Sequence, residues 1–165
     1  MTITKSEKET FKLGQKLARR LKGGEIIALK GDLGAGKTIF IKGIAKGLGI
    51  KQTITSPSFI LMKIYPVKFF AKIKYLCHVD AYRLKNSQEL VDIGINDWLG
   101  KKKVITVIEW SDQVEDILPK KRIEIKIDFG KKENERRIEV ISYKLSRYVW
   151  LRQISHSETR SRTAG

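Results

Sequence analysis

The chain has 165 residues, and 34 Lys and Arg against 18 Asp and Glu leave a formal net charge of +16. This length is that of one domain, and a hydrophobic content of 41% excludes a fully disordered basic chain. No run approaches the ~20 apolar residues of a membrane span, the first residues lack a signal peptide's apolar stretch, and the single cysteine, Cys77, excludes an internal disulfide or a cysteine-based zinc site; a cytoplasmic protein with no membrane partner is expected.

Ser6 followed by Glu9 forms a capping box and predicts a helix over 6–21. Leu13, Leu17 and Leu21 repeat at helical spacing there, with Lys12, Lys16, Arg19 and Arg20 left for water. Gly23 and Gly24 stop it, and residues 25–30 are a short apolar run of the buried-strand type. After the segment 31–38, Phe40, Ile41, Ile44, Ala45 and Leu48 make an apolar helical face that ends at Gly49. Strands are predicted at 60–65 and 74–79, then a helix opening near Asn86 or Ser87, covering Leu90 and Ile93 and extending toward Trp98 and Leu99. Residues 104–108 are the most apolar strand. The segments 122–129 and 136–143 alternate apolar and polar residues around a turn at 130–135, which predicts a β-hairpin. From Ser146 the patterning dissolves into a basic tail, so 1–145 is read as the domain and 146–165 as an appendage.

Gly31-Asp32-Leu33-Gly34-Ala35-Gly36-Lys37-Thr38 fits the Walker A pattern, with a predicted strand before it and a helix after it. The chemistry accounts for each residue type. Gly31, Gly34 and Gly36 let backbone N–H groups approach phosphate oxygens, and the helix N-terminus adds partial positive charge. Lys37 is suited to the β- and γ-phosphates, and the Thr38 hydroxyl to Mg²⁺. Such a loop needs an acid at the end of a second apolar strand. Two residues qualify, Asp80 after 75–79 and Glu109 after 104–108, and spacing does not rank them.

The four segments Gly31 to Thr38, Ser56-Pro57-Ser58-Phe59, His78-x-Asp80-x-Tyr82-Arg83-Leu84 and Glu109-Trp110 together closely resemble the bacterial TsaE (YjeE-type) ATPases, over about residues 6–143. The resemblance implies a three-layer α/β P-loop fold and a part in making threonylcarbamoyladenosine on tRNA. It also implies partners of the TsaB and TsaD type, which carry out the carbamoyl transfer while ATP binding and slow hydrolysis support their turnover. Residue by residue, it implies that Asp32 to Thr38 bind ATP, that Thr38 and Glu109 contact Mg²⁺, and that Asp80 takes the Walker B-like place, also near the metal, and is needed for hydrolysis. Ser56 to Phe59 become a switch loop, and the start of the first helix around Glu7 to Thr10 and Arg136 lie near the nucleotide. Ser58 stands where the family more often has Thr, and the tail has no counterpart in it.

Some residues keep two readings. His78 suits proton transfer or structural support of the site, Trp110 core packing or a wall of the nucleotide and partner site, and Tyr82 and Arg83 a phosphate or partner contact or a plain surface. Cys77, next to His78, is expected to face the core. A +16 charge favours acidic partners, whether nucleic acid, nucleotides or an acidic protein face, without naming one, and the lysines are spread along the sequence without interleaved aromatics. The rival function is a small P-loop metabolite or nucleoside kinase, which would carry an Arg-rich lid where this chain has Ser-Pro-Ser-Phe and a strand pair. The central sheet is expected to be mixed, with hairpin-like strands at 60–65, 74–79 and 122–143 beside the parallel nucleotide core.

Overall fold

The computed structural model describes residues 1–142. The basic tail at 146–165 and the domain boundary placed at 145 lie outside them. The described elements are β1 (Thr2–Thr4), α1 (Glu7–Ala18), β2 (Ile26–Lys30), α2 (Lys37–Gly47), β3 (Met62–Pro66), β4 (Tyr75–Asp80), α3 (Gln88–Asp92), β5 (Val104–Glu109), β6 (Ile123–Phe129) and β7 (Arg136–Ser142), with 3-10 turns at Ile95–Asp97 and Ser111–Ile117.

One seven-stranded sheet has the order β1-β7-β6-β2-β5-β4-β3. β4, β5, β2 and β6 run parallel, while β3 pairs antiparallel with β4, β7 with β6, and β1 with β7. The sheet is mixed as expected, with both hairpins in place. The parallel strands are buried from both faces, which is why 26–29 and 104–108 read as near-continuous apolar runs, interrupted only by Thr106. One face carries α1 and α2 over Leu29, Phe40, Ile44, Leu76 and Ile125. The other carries α3 and the 3-10 turns over Ala28, Cys77, Val79, Leu90 and Ile108. That makes three layers of unequal weight.

The helices α1 and α2 approach very closely. A Cβ on Gly14 would lie 2.2 Å from the Phe40 carbonyl oxygen, and one on Gly43 would lie 2.0 Å from that of Phe11. Since α2 starts in the phosphate loop, this contact sets the loop's height above the sheet. Ser6 caps α1 by accepting from the Glu9 N–H at 3.2 Å.

Four expectations change. The first helix ends at Ala18 rather than 21, with Arg19 as its C-cap. The helix after Ser87 is only five residues long, because Gly94 enters the left-handed region at φ 86 and a 3-10 turn follows. β1 and the 3-10 turn at Ser111–Ile117 have no forecast counterpart. That turn is fastened by Arg122, whose Nη2 lies 2.6 Å from Glu115 and 2.5 Å from Glu124, and by Lys30 at 3.0 Å from Glu115. No helix among the described residues is long and apolar enough to cross a membrane.

Candidate functional site

The parallel strands β2, β4 and β5 end together at one edge of the sheet, and the registers Leu29↔Glu109 and Asp80↔Glu109 put their terminal residues side by side. In such sheets the crevice outside the carboxyl ends of the strands is where ligands bind. A cavity of about 470 Å³ lies there, inside the range of small-molecule sites. Its walls come from the glycine loop (Leu33, Gly34, Gly36, Lys37, Thr38), the strand ends (Asp80, Glu109), Tyr82 and Trp110, and from Thr10 and Arg136 across the mouth.

The loop is preorganised. Gly36 has φ 101, a conformation that excludes an ordinary side chain, and α2 starts on the next residue. The first N–H groups of that helix have no intrahelical acceptor and point at the cavity. Lys37 is 4% exposed, and its Nζ donates to the carbonyls of Gly31 (2.6 Å) and Asp32 (2.7 Å). Burial pulls this ammonium below the ordinary lysine value, against the opposing pull of Glu109 and Asp80. It lies 3.9 Å from the centroid of the Trp110 ring, a cation–π contact. Trp110 adopts φ 57 and ψ 43, the left-handed region that bulky residues avoid, and such strain concentrates at functional sites.

Behind the loop, the Thr38 hydroxyl donates to Glu109 at 2.9 and 3.2 Å. His78 Nε2 lies 2.8 Å from Glu109 Oε1, with both side chains buried. A carboxylate only accepts, so Nε2 carries the hydrogen, and the buried Nδ1 has no protein partner. Asp80 is a second buried carboxylate. Ser56 and Ser58 both hydrogen-bond its Oδ2, the latter at 2.7 Å, and the Tyr82 N–H donates to Oδ1 at 3.0 Å. The two serine hydroxyls thus hold the 56–59 loop onto the strand end.

Two buried carboxylates and a hydroxyl form a hard oxygen set of the kind Mg²⁺ takes. With one buried ammonium against two carboxylates, a triphosphate would meet excess negative charge unless a cation came with it. Among the described residues no cluster of three His, Cys, Asp or Glu is placed to hold a metal by itself. Mg²⁺ sites commonly draw the rest of their ligands from phosphate and water.

Not every residue of the sequence reading reaches the cavity. Ala35 is buried in the core under α2, and Asp32 contributes its carbonyl rather than its carboxylate. Pro57 is buried, and its carbonyl accepts from the Ile60 and Leu61 N–H groups. Phe59 is 84% exposed with the Arg83 guanidinium 4.4 Å from its ring centroid, so this pair points outward beside the mouth. Tyr82 packs on Trp110 at 4.9 Å between centroids. His78 reaches Glu109 rather than the Asp80 with which it shares a strand face. Cys77 faces the opposite core layer, as expected. The reading missed Asn134 and Ile39 at the cavity wall. Asn134 sits in the β6–β7 turn, and the parallel pairing of β6 with β2 carries that turn to the same edge as the glycine loop.

Fold and loop together define a P-loop nucleotide-binding protein. The family model described as "Threonylcarbamoyl adenosine biosynthesis protein TsaE" matches residues 4–138, and the chain belongs to that family. It is 37% identical over 125 residues to the tRNA threonylcarbamoyladenosine biosynthesis protein TsaE of Treponema pallidum (strain Nichols), covering 76% of this chain and 88% of the relative. The protein of the same name from Bacillus subtilis (strain 168) is 36% identical over 124 residues, covering 75% and 74%. The crystal structure of YdiB from Bacillus subtilis superposes with a TM-score of 0.74 at 29% identity, covering 95% of this chain and 94% of that one.

Proposed function

We propose that this chain is an Mg²⁺-dependent ATPase, slow by itself, that supports threonylcarbamoyladenosine synthesis on tRNA by acting with TsaB- and TsaD-type proteins. The observation that carries the reading is the meeting of Lys37, Thr38, Glu109 and Asp80 at the ends of three parallel strands beside the loop. Family membership supplies the pathway, since its relatives are named for that modification.

The residues divide the work. The loop N–H groups and the α2 N-terminus take the phosphate oxygens. Lys37, parked on two carbonyls, exchanges them for the phosphate charge. Thr38 and Glu109 would hold Mg²⁺, which supplies charge neutralisation at the phosphates. Asp80 orients the water, with Ser56 and Ser58 keeping its Oδ2 in place until the loop they belong to responds to the phosphate end. Thr10 and Arg136 border the other side of the nucleotide. Arg136 is braced by the Glu133 and Glu135 carbonyls, each at 2.8 Å, and by the Phe129 ring.

The arrangement supports slow hydrolysis by the chain alone. The arginines nearest the loop are already engaged: Arg136 lines the cavity but is held by the Glu133 and Glu135 carbonyls, and Arg83 is turned outward on Phe59. A partner that rearranges this loop could add the missing charge. The test is ATP hydrolysis by the chain alone, then with TsaB, TsaD and tRNA added. Stimulation by the pair is expected. Phosphate passed to a small molecule, with no stimulation, would replace the reading with a kinase, and absence of ATP binding would end it altogether.

A further inference from the structure

At the edge of the sheet opposite the phosphate loop, three connections converge. Residues 19–25 lead from α1 into β2, 67–74 close the β3–β4 hairpin, and 98–103 lead into β5. The backbone interlocks them. The Lys74 N–H donates to the Lys103 carbonyl at 2.7 Å, Gly24 N–H to Val104 at 2.8 Å, and a Cβ on Gly23 would strike the Lys102 carbonyl at 2.1 Å and meet that of Lys72 at 3.2 Å. The lysines that look scattered in the sequence are therefore neighbours here. Lys22, Lys72, Lys74, Lys101, Lys102 and Lys103 are all exposed, and none of the six has an ion-pair partner among the described residues. The one carboxylate in these three connections is Glu25, which is buried and accepts from the Lys22 and Gly23 N–H groups. Exposed aromatics lie among them as well: Phe69 is 71% and Tyr75 43% exposed. This corrects the expectation of dispersed lysines without interleaved rings.

We infer that this basic edge is an RNA-binding surface, and that it can be occupied together with the nucleotide site. Six exposed ammonium groups without an ion-pair partner, beside a single buried carboxylate, suit a run of phosphates, and two exposed rings offer faces on which unpaired bases stack. The five residues of β2 separate this edge from the glycine loop by about 17 Å, so a bound strand would leave the cavity clear. The chain also leaves β7 at this edge, since Ser142 pairs with Glu124 at the start of β6. Residues 143–165 carry Lys144, Arg147, Arg152, Arg160 and Arg162 against one acid, Glu158. The choice of RNA over other polyanions rests on the tRNA role proposed above.

The experiment measures binding of an unmodified tRNA transcript to the full chain by fluorescence anisotropy across a salt series, with ATP affinity followed in parallel. If three to five phosphates are neutralised, the affinity should fall about 20- to 500-fold between about 50 and 200 mM salt, the lower figures applying to unpaired strands. Lys72→Glu/Lys102→Glu/Lys103→Glu should lower RNA affinity at least tenfold and flatten the salt slope by about three, with ATP affinity unchanged. Lys8→Glu/Lys12→Glu/Lys131→Glu, with the same change of net charge, should keep RNA affinity within about threefold. Equal losses in both variants would overturn the proposal, as would displacement of RNA by saturating Mg-ATP. Polyglutamate binding as tightly as tRNA would assign the edge to an acidic protein instead. Absent RNA binding with intact ATP binding sinks this inference alone, whereas absent ATP binding sinks the ATPase reading alone.

Discussion

Glu109 is the residue on which most of the site converges, since it accepts from Thr38 on one side and from His78 on the other. If His78 serves by holding that carboxylate, its Nε2 hydrogen is the part that matters. Gln can present an N–H at about the same reach, and Leu cannot. His78→Leu is therefore expected to raise the Mg²⁺ concentration for half-maximal ATPase activity about 10- to 100-fold, the usual cost of losing such support. His78→Gln should restore most of it, and equal Mg²⁺ titrations for the two variants would show that His78 only fills space. Lys37→Ala makes a blunter prediction. Removing a buried charge from its ionic partner costs about 2–5 kcal/mol, so nucleotide affinity measured by titration calorimetry should fall about 30-fold or more, and near-normal affinity would displace the phosphate loop from the site. The placement of Lys37 and Thr38 at the head of α2, beside the cavity, was readable because the spacing of the loop fixes it. The ordering of Asp80 and Glu109 was not, because it depends on which strand lies next to β2, and pairing partners leave no mark in a strand's own residues.

At the scale of elements, the contact between α1 and α2 connects fold to chemistry. Gly43 lies against the Phe11 carbonyl with no room for a methyl group, so Gly43→Ala must push the helices apart. Ala is the better helix former by about 1 kcal/mol, but overpacking costs about 1–3 kcal/mol, and with backbone as the obstacle the second effect wins. The variant should unfold at lower urea and bind nucleotide more weakly, because α2 carries Lys37 and Thr38 on its first turn. An unchanged urea midpoint would mean that the helices separate freely. Elements with strong periodicity were legible: the β6–β7 hairpin by its alternation, β5 by its apolar run, α1 by its capping box. What escaped were pieces made by tertiary contact. β1 has three residues and exists because Thr4 pairs with Arg136 and its hydroxyl lies 2.7 Å from that of Thr10. The turn at Ser111–Ile117 is held by Arg122 and Lys30, whose hydrogen bond to Glu115 keeps that carboxyl below its usual value. Neither shows a pattern of its own.

For the whole molecule, the question is whether site and sheet open as one unit, and Cys77 can report on it. It is the chain's only cysteine, fully buried in β4 against the layer formed by α3. Burial pushes its thiol up to about 12, so at neutral pH the reactive thiolate is scarce and unreachable until β4 leaves the sheet. Labelling by a thiol reagent should then follow the opening equilibrium of the fold when reclosing outpaces the reaction. A ligand that binds only the folded state at 100 times its Kd adds about 2.7 kcal/mol. Saturating Mg-ATP should thus slow Cys77 labelling about 100-fold, and in Lys37→Ala, with affinity down about 30-fold, the same ATP concentration should slow labelling only about fourfold relative to that variant's own ligand-free rate. The coupling is expected because Asp80 ends the strand that Cys77 occupies, and Glu109 ends its neighbour, so β4 cannot leave without dismantling the carboxylate pair. A labelling rate indifferent to Mg-ATP, in a protein shown by calorimetry to bind it, would mean that β4 opens while the nucleotide stays bound. The phosphate loop with α2 would then form a separate stable unit, and the strand-end carboxylates would contribute little to holding the nucleotide.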